Sequence, residues 1–79
     1  MNKQDIFTLV SNHFGIEIDE VEMDSEFVED FNCEHTAMIE LKLVIEDLIK
    51  TKIDPEEFEE VKTVDDLLVL FEDHNALDE

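Results

Sequence analysis

Cys33, Glu34 and His35 are consecutive in this chain, and Thr36 follows them. A thiol beside an imidazole can serve as a nucleophilic pair when a third group orients the base and a substrate motif accompanies it. Neither accompanies this pair, so catalysis by Cys33 and His35 is not expected and the chain reads as a non-enzyme. The same side chains can ligate a metal. Structural zinc takes four ligands, usually from paired motifs. Cys33 is the lone cysteine, however, and His13 and His74 lie far off in sequence. No specific metal site is expected. His35 is then most simply an exposed residue at the start of a helix.

The charge balance narrows the partners. The chain has 79 residues, with 24 acids against 5 lysines and no arginine, a formal net charge of -19. Such a surface repels nucleic acid and anionic membranes and favours basic protein surfaces. High charge alone can signal disorder. Here 43% of residues are hydrophobic, and they fall in periodic clusters, so a folded chain is expected. A lone cysteine excludes an intrachain disulfide. No apolar run suits a secretory signal or a membrane span, which leads to the expectation of a cytoplasmic protein. One Gly and one Pro leave little material for hairpins, and the expected fold class is all-α.

The elements that must position residues 33–36 follow from apolar spacing. A first helix is expected over about Lys3 to Phe14, with Ile6, Leu9, Val10 and Phe14 on one face and Gly15 as its C-cap. His13 in its last turn suits the negative helix end. Residues 16–34 fit neither a helical nor a strand period and read as a long loop, tied to the core by Phe27 and Phe31. A second long helix is expected over about Glu34 to Lys50, with Asn32 as its N-cap. Met38, Leu41, Ile45 and Leu48 make one stripe along it, and Ala37, Leu41, Val44 and Leu48 a second. Ile39, Leu43 and Ile49 widen the apolar arc, which predicts a central helix contacted on more than one side. Asp54-Pro55 opens a short helix with Phe58 and Val61 facing in. Thr63 caps the last helix, whose apolar side is Val64, Leu67, Leu68, Leu70 and Phe71. Residues 74–79 are expected to fray. The sum is one domain over 1–79, a small bundle of three long helices plus one short helix, with a long first loop.

Specific residues then carry a resemblance. Phe14-Gly15-Ile16 followed by Asp19-Glu20-Val21, the run Ser25 to Phe31, the pairs Ile39-Glu40-Leu41 and Ile45-Glu46-Asp47, and Ile53 to Val64 occur in a fixed, gapless order. From about Ile6 to Phe71 the chain resembles the acyl carrier proteins of fatty acid and polyketide synthesis. In that family the loop runs into Gly-Ala-Asp-Ser-Leu-Asp, and the serine carries 4'-phosphopantetheine. The aligned residues here are Asn32-Cys33-Glu34-His35-Thr36-Ala37. Glu34 keeps the acid before the serine position and His35 occupies that position. Thr36 replaces the leucine and Ala37 the second acid. The resemblance therefore implies a carrier-like protein without the prosthetic group, acting by contact with enzymes of acyl metabolism, most simply as a monomer.

The resemblance places the acids that meet basic patches at Glu40, Glu46 and Asp47 and further partner contacts at Thr36 and Leu43, with Lys42 adding a positive charge. Val44, Phe58 and Leu67 stand at small-residue positions of the family's acyl cleft, which implies that the cleft is filled. The alternative is a genuine carrier with an atypical attachment site. Thr36 lies about 100° further round the helix, and Ser25 and Ser11 lie off it.

Overall fold

The computed structural model describes residues 2–77. Its first helix, α1 (Lys3–Phe14), starts where Asn2 and Asp5 cap each other reciprocally. The Asp5 N–H donates to Asn2 Oδ1 at 2.9 Å, and the Asn2 N–H donates to Asp5 Oδ2 at 3.0 Å. This capping box satisfies two donors that a helix start otherwise leaves open. The helix stops at Gly15, whose φ of 66° is left-handed and suits glycine. Ile6 and Val10 are its fully buried residues.

Residues 16–34 are not the featureless loop that their irregular spacing predicts. A single 3-10 turn (Ile18–Glu20) is followed by a five-residue helix, α2 (Phe27–Phe31). Phe14, Phe27 and Phe31 form a triangle of rings with centroids 5.5–6.0 Å apart, so the two expected anchors do hold this segment. Backbone bonds complete the attachment. Phe27 N–H donates to Lys62 O at 3.0 Å, Val64 N–H to Ser25 O at 3.1 Å and Asp65 N–H to Met23 O at 2.9 Å. The connection is thus zipped onto the residues that open the last helix.

Asn32 does not cap the next helix. It ends α2 in the left-handed conformation with φ 53°. Asparagine tolerates that region better than other non-glycine residues, so the same residue type served the end of one helix instead of the start of another. The long helix α3 (His35–Ile49) begins after Glu34, which makes no side-chain cap bond.

Two shorter helices close the bundle. In α4 (Pro55–Glu59), Asp54 Oδ1 accepts from Glu56 N–H at 2.9 Å and Pro55 stands in the first turn. In α5 (Val64–Asp73), Thr63 and Asp66 form a second capping box. Val64, Leu67, Leu68, Leu70 and Phe71 of α5 are all buried. Together with Ile6, Val10, Phe27, Leu41, Ile45 and Phe58 they form one hydrophobic cluster. The fold is all-α, with no named strand among the described residues and one isolated bridge pairing Glu26 with Thr63.

The expected frayed tail is ordered as far as Leu77. Ala76 N–H donates to Phe71 O at 2.8 Å, and Ala76 and Leu77 pack on the core. Residues 78 and 79 lie outside the described residues. No described helix is long and apolar enough to cross a membrane.

The wide apolar arc of α3 is not covered on every side. Leu41 and Ile45 are fully buried, but Ile39, Leu43, Val44 and Leu48 are exposed. Sequence spacing shows how broad an apolar arc is, not how much of it neighbouring helices reach. Ile39 and Leu43 form a row on the side of the arc next to short α2 and α4, whereas Val44 and Leu48 lie more than 100° round the helix from Ile39.

Candidate functional site

A groove of about 680 Å³ opens between α2, α3 and α4. Phe27, Met38, Phe58 and Val61 give it apolar walls, Val28 and Ile39 form its lip, and His35 stands at its α3 end. The volume falls within the range of about 300–1,000 Å³ usual for small-molecule pockets. A filled cleft is therefore not what the three large residues produce. Val44 is 37% exposed and does not line the groove. Leu67 is fully enclosed within the core, and Phe58 is a wall of the groove and not its plug.

The first turn of α3 carries the residues that the sequence singled out. Glu34, His35 and Thr36 are all exposed there. Cys33 just before them is buried, and its Sγ lies 3.4 Å from Glu34 O. Burial, and secondarily the Glu34 charge, push the Cys33 thiol above its ordinary value. A nucleophilic or redox-active cysteine needs the opposite shift. His13 is not near a metal-binding partner either. Its Nε2 faces Ala37 O at 3.2 Å and pins the end of α1 to α3. Among the described residues no group of three or more His, Cys, Asp or Glu could hold a metal ion.

Along α3 the expected contact residues divide. Glu40, Leu43 and Asp47 are exposed. Glu46 is committed inward, with its side chain only 10% exposed. Its Oε2 accepts from Ile53 N–H at 2.7 Å and from Lys42 Nζ at 3.2 Å. The Ile53 bond, then the Lys42 bond and charge, hold the Glu46 carboxyl below its ordinary value against the opposing effect of desolvation. Glu46 thus fastens the α3–α4 connection, and Lys42 is drawn onto its own helix.

Met38, Pro55, Val61 and Lys62 also line the groove, and sequence reasoning assigned them no functional place. One signal was present: Ile39 and Leu43 lie beyond the buried stripe of Leu41 and Ile45, an apolar surplus for which the core has no room.

No protein-family model matches the chain. Individual proteins do. An acyl carrier protein of Chlamydia trachomatis serovar L2 is 25% identical over 72 residues, covering 91% of this chain and 94% of that protein. An acyl carrier protein of Helicobacter hepaticus is 29% identical over 69 residues, covering 87% of this chain and 91% of that protein. A third, from Chlamydia trachomatis serovar D, is 26% identical over 66 residues, covering 84% of this chain and 86% of that protein. With its all-α fold, the chain is similar over most of its length to small acyl carrier proteins. The chain is acyl-carrier-protein-like.

Proposed function

We propose that this chain is an acyl-carrier-like protein that acts through protein contacts and carries no prosthetic group. It would serve as a binding or regulatory partner of an enzyme of fatty acid, polyketide or other acyl metabolism. The observation that carries this reading is His35, the exposed first residue of α3 at the groove. In the resemblance it stands where the family has its attachment serine. When bound, 4'-phosphopantetheine supplies a thiol that holds acyl groups as thioesters, and it hangs on a serine oxygen through a phosphodiester. An imidazole forms no comparably stable bond.

The neighbouring hydroxyls are no substitute. Thr36 points about 100° away round the helix. Ser25 is buried, with its Oγ accepting from Glu22 N–H at 3.0 Å. Ser11 Oγ donates to Ile16 O at 2.6 Å. The residues present do not fit the group.

The surface that remains is the exposed side of α3. Thr36, Glu40, Leu43 and Asp47 face solvent there, and a basic partner surface is their chemical complement. Isolated surface charges contribute little affinity. The carboxylates steer the encounter, and burial of Leu43 holds it. Glu46 acts at one remove, by fixing the end of α3. Ala37 in place of an acid and Lys42 beside the row weaken the fit to partners that read the whole family array. An absence of catalysis, a single domain over 1–79, a monomer and a place in the cytoplasm all belong to this reading.

The groove favours a second reading, a genuine carrier with an atypical attachment site. About 680 Å³ of partly open, apolar-walled space would take an acyl chain, and Thr36 is the hydroxyl adjacent to His35. One experiment separates the two. The protein is incubated with coenzyme A and a broad phosphopantetheinyl transferase, and its intact mass is measured. An unchanged mass supports the first reading, and modification of His35→Ser would show that only the acceptor was lost. A gain of one phosphopantetheine on the unaltered chain, abolished by Thr36→Val, would establish the second.

A further inference from the structure

We propose that the groove between α2, α3 and α4 is a socket for an apolar side chain of a basic, amphipathic partner helix. This rests on the protein-contact reading and names what the partner inserts.

The groove and the exposed apolar row are one continuous surface. Val28 is 62% exposed and Ile39 46% exposed, and both line the groove. Leu43, four residues on from Ile39 and so on the same face of α3, is 57% exposed. The apolar surface therefore passes from a concavity out along one side of a helix. A single-chain amphiphile lying in the groove would cover Val28 and Ile39 and leave Leu43 in water. A helix laid along α3 covers all three, with one side chain entering between Met38 and Phe58. Recognition by apolar anchors on an amphipathic helix in a groove has this form.

Charge selects the sign of the partner. Of the two lysines that line the groove, Lys42 is ion-paired with Glu46 Oε2 at 3.2 Å, whereas Lys62 is exposed and keeps its charge, its Nζ lying 3.4 Å from the Glu59 carbonyl oxygen; carboxylates still outnumber it. Exposed carboxylates remain around the groove and row, those of Glu26, Glu29, Glu40, Asp47 and Glu59. In a chain of net charge -19 they repel an anionic amphiphile such as a fatty acid and attract Lys/Arg flanks.

The probe is a synthetic amphipathic Lys/Leu helix, compared with a peptide of identical charge whose central Leu is Ser. Binding is followed by NMR at low salt, with the peptide leucine methyls labelled. We expect nuclear Overhauser contacts from the central leucine to the Met38 methyl and the Phe58 ring. The Ser peptide should bind about ten-fold more weakly or worse, as loss of a buried leucine requires. Ile39→Gln should weaken the Leu peptide comparably with an unchanged circular dichroism spectrum. Binding without those contacts and without Leu/Ser discrimination overturns the socket and leaves the protein-contact reading standing. Absence of any binding overturns both. Sodium decanoate in a separate arm should leave the Met38 and Phe58 resonances in place. Saturable shifts there would overturn the proposal in favour of a single-chain amphiphile.

Discussion

Replacing Leu67 and Val44 separately by alanine tests which of the large residues the core encloses. Both stand at positions where the family resemblance implies a filled cleft, yet their surroundings differ. Leu67 is fully buried on α5 among the residues that centre the core. Leu67→Ala removes roughly three buried carbons at about 0.8 kcal/mol each. The residual cavity raises the cost to about 3–4 kcal/mol, within the usual range for such truncations. In a domain of this size each kcal/mol moves Tm by about 4–8 °C, so Leu67→Ala should lower it by roughly 12–32 °C. Val44 is 37% exposed on α3. Val44→Ala loses about 1 kcal/mol from two partly buried methyls and gains about 0.5 kcal/mol in helix propensity, so its net cost should be about 0.5 kcal/mol. Thermal and urea unfolding followed by far-UV circular dichroism, at fixed ionic strength because of the net charge of -19, reads both. Comparable losses for the two variants would refute the division, because Val44 would then be a core residue.

Two further variants test local structure. Lys50 ends α3 with φ 57°, a conformation that favours glycine. Lys50→Gly should therefore stabilise by about 0.5 kcal/mol, or about 2–4 °C in Tm by the same scan. Glu46→Gln should lower Tm at neutral pH. Because the Glu46 carboxyl is held below its ordinary value in the fold, its stabilisation is present above the unfolded carboxylate range and is lost as pH falls through the folded value. The two proteins should thus converge in acid, and a Tm difference that persists unchanged there would contradict the assignment.

Much of this fold is written locally. Gly15, Asp54-Pro55 and Thr63 mark helix ends by bonds to residues within a few positions, and each does so in the structure. The short helix α2 has local end bonds too, Glu26 N–H to Asp30 Oδ2 at 2.7 Å and Asn32 N–H to Phe27 O, but these do not fix its place in the bundle. It is held by ring contacts to Phe14 and by backbone bonds to residues 62–65, all distant in sequence. Asn32 is ambiguous because one residue type serves a helix start and a left-handed helix end. The spacing of α3 fixes which residues share a face, but coverage depends on the lengths of its neighbours. Glu46 looked like Glu40 and Asp47 in the sequence, and only the return of the chain to Ile53 turns its carboxylate inward. The position of His35 at the head of α3 was legible, and the groove beside it was not.

The proposed function requires that the head of α3 carry no phosphopantetheine. The most direct test is the intact mass of the chain isolated from the cells that make it. The mass of the unmodified polypeptide is expected. A form heavier by one phosphopantetheine, with or without an acyl group, would contradict the proposed function.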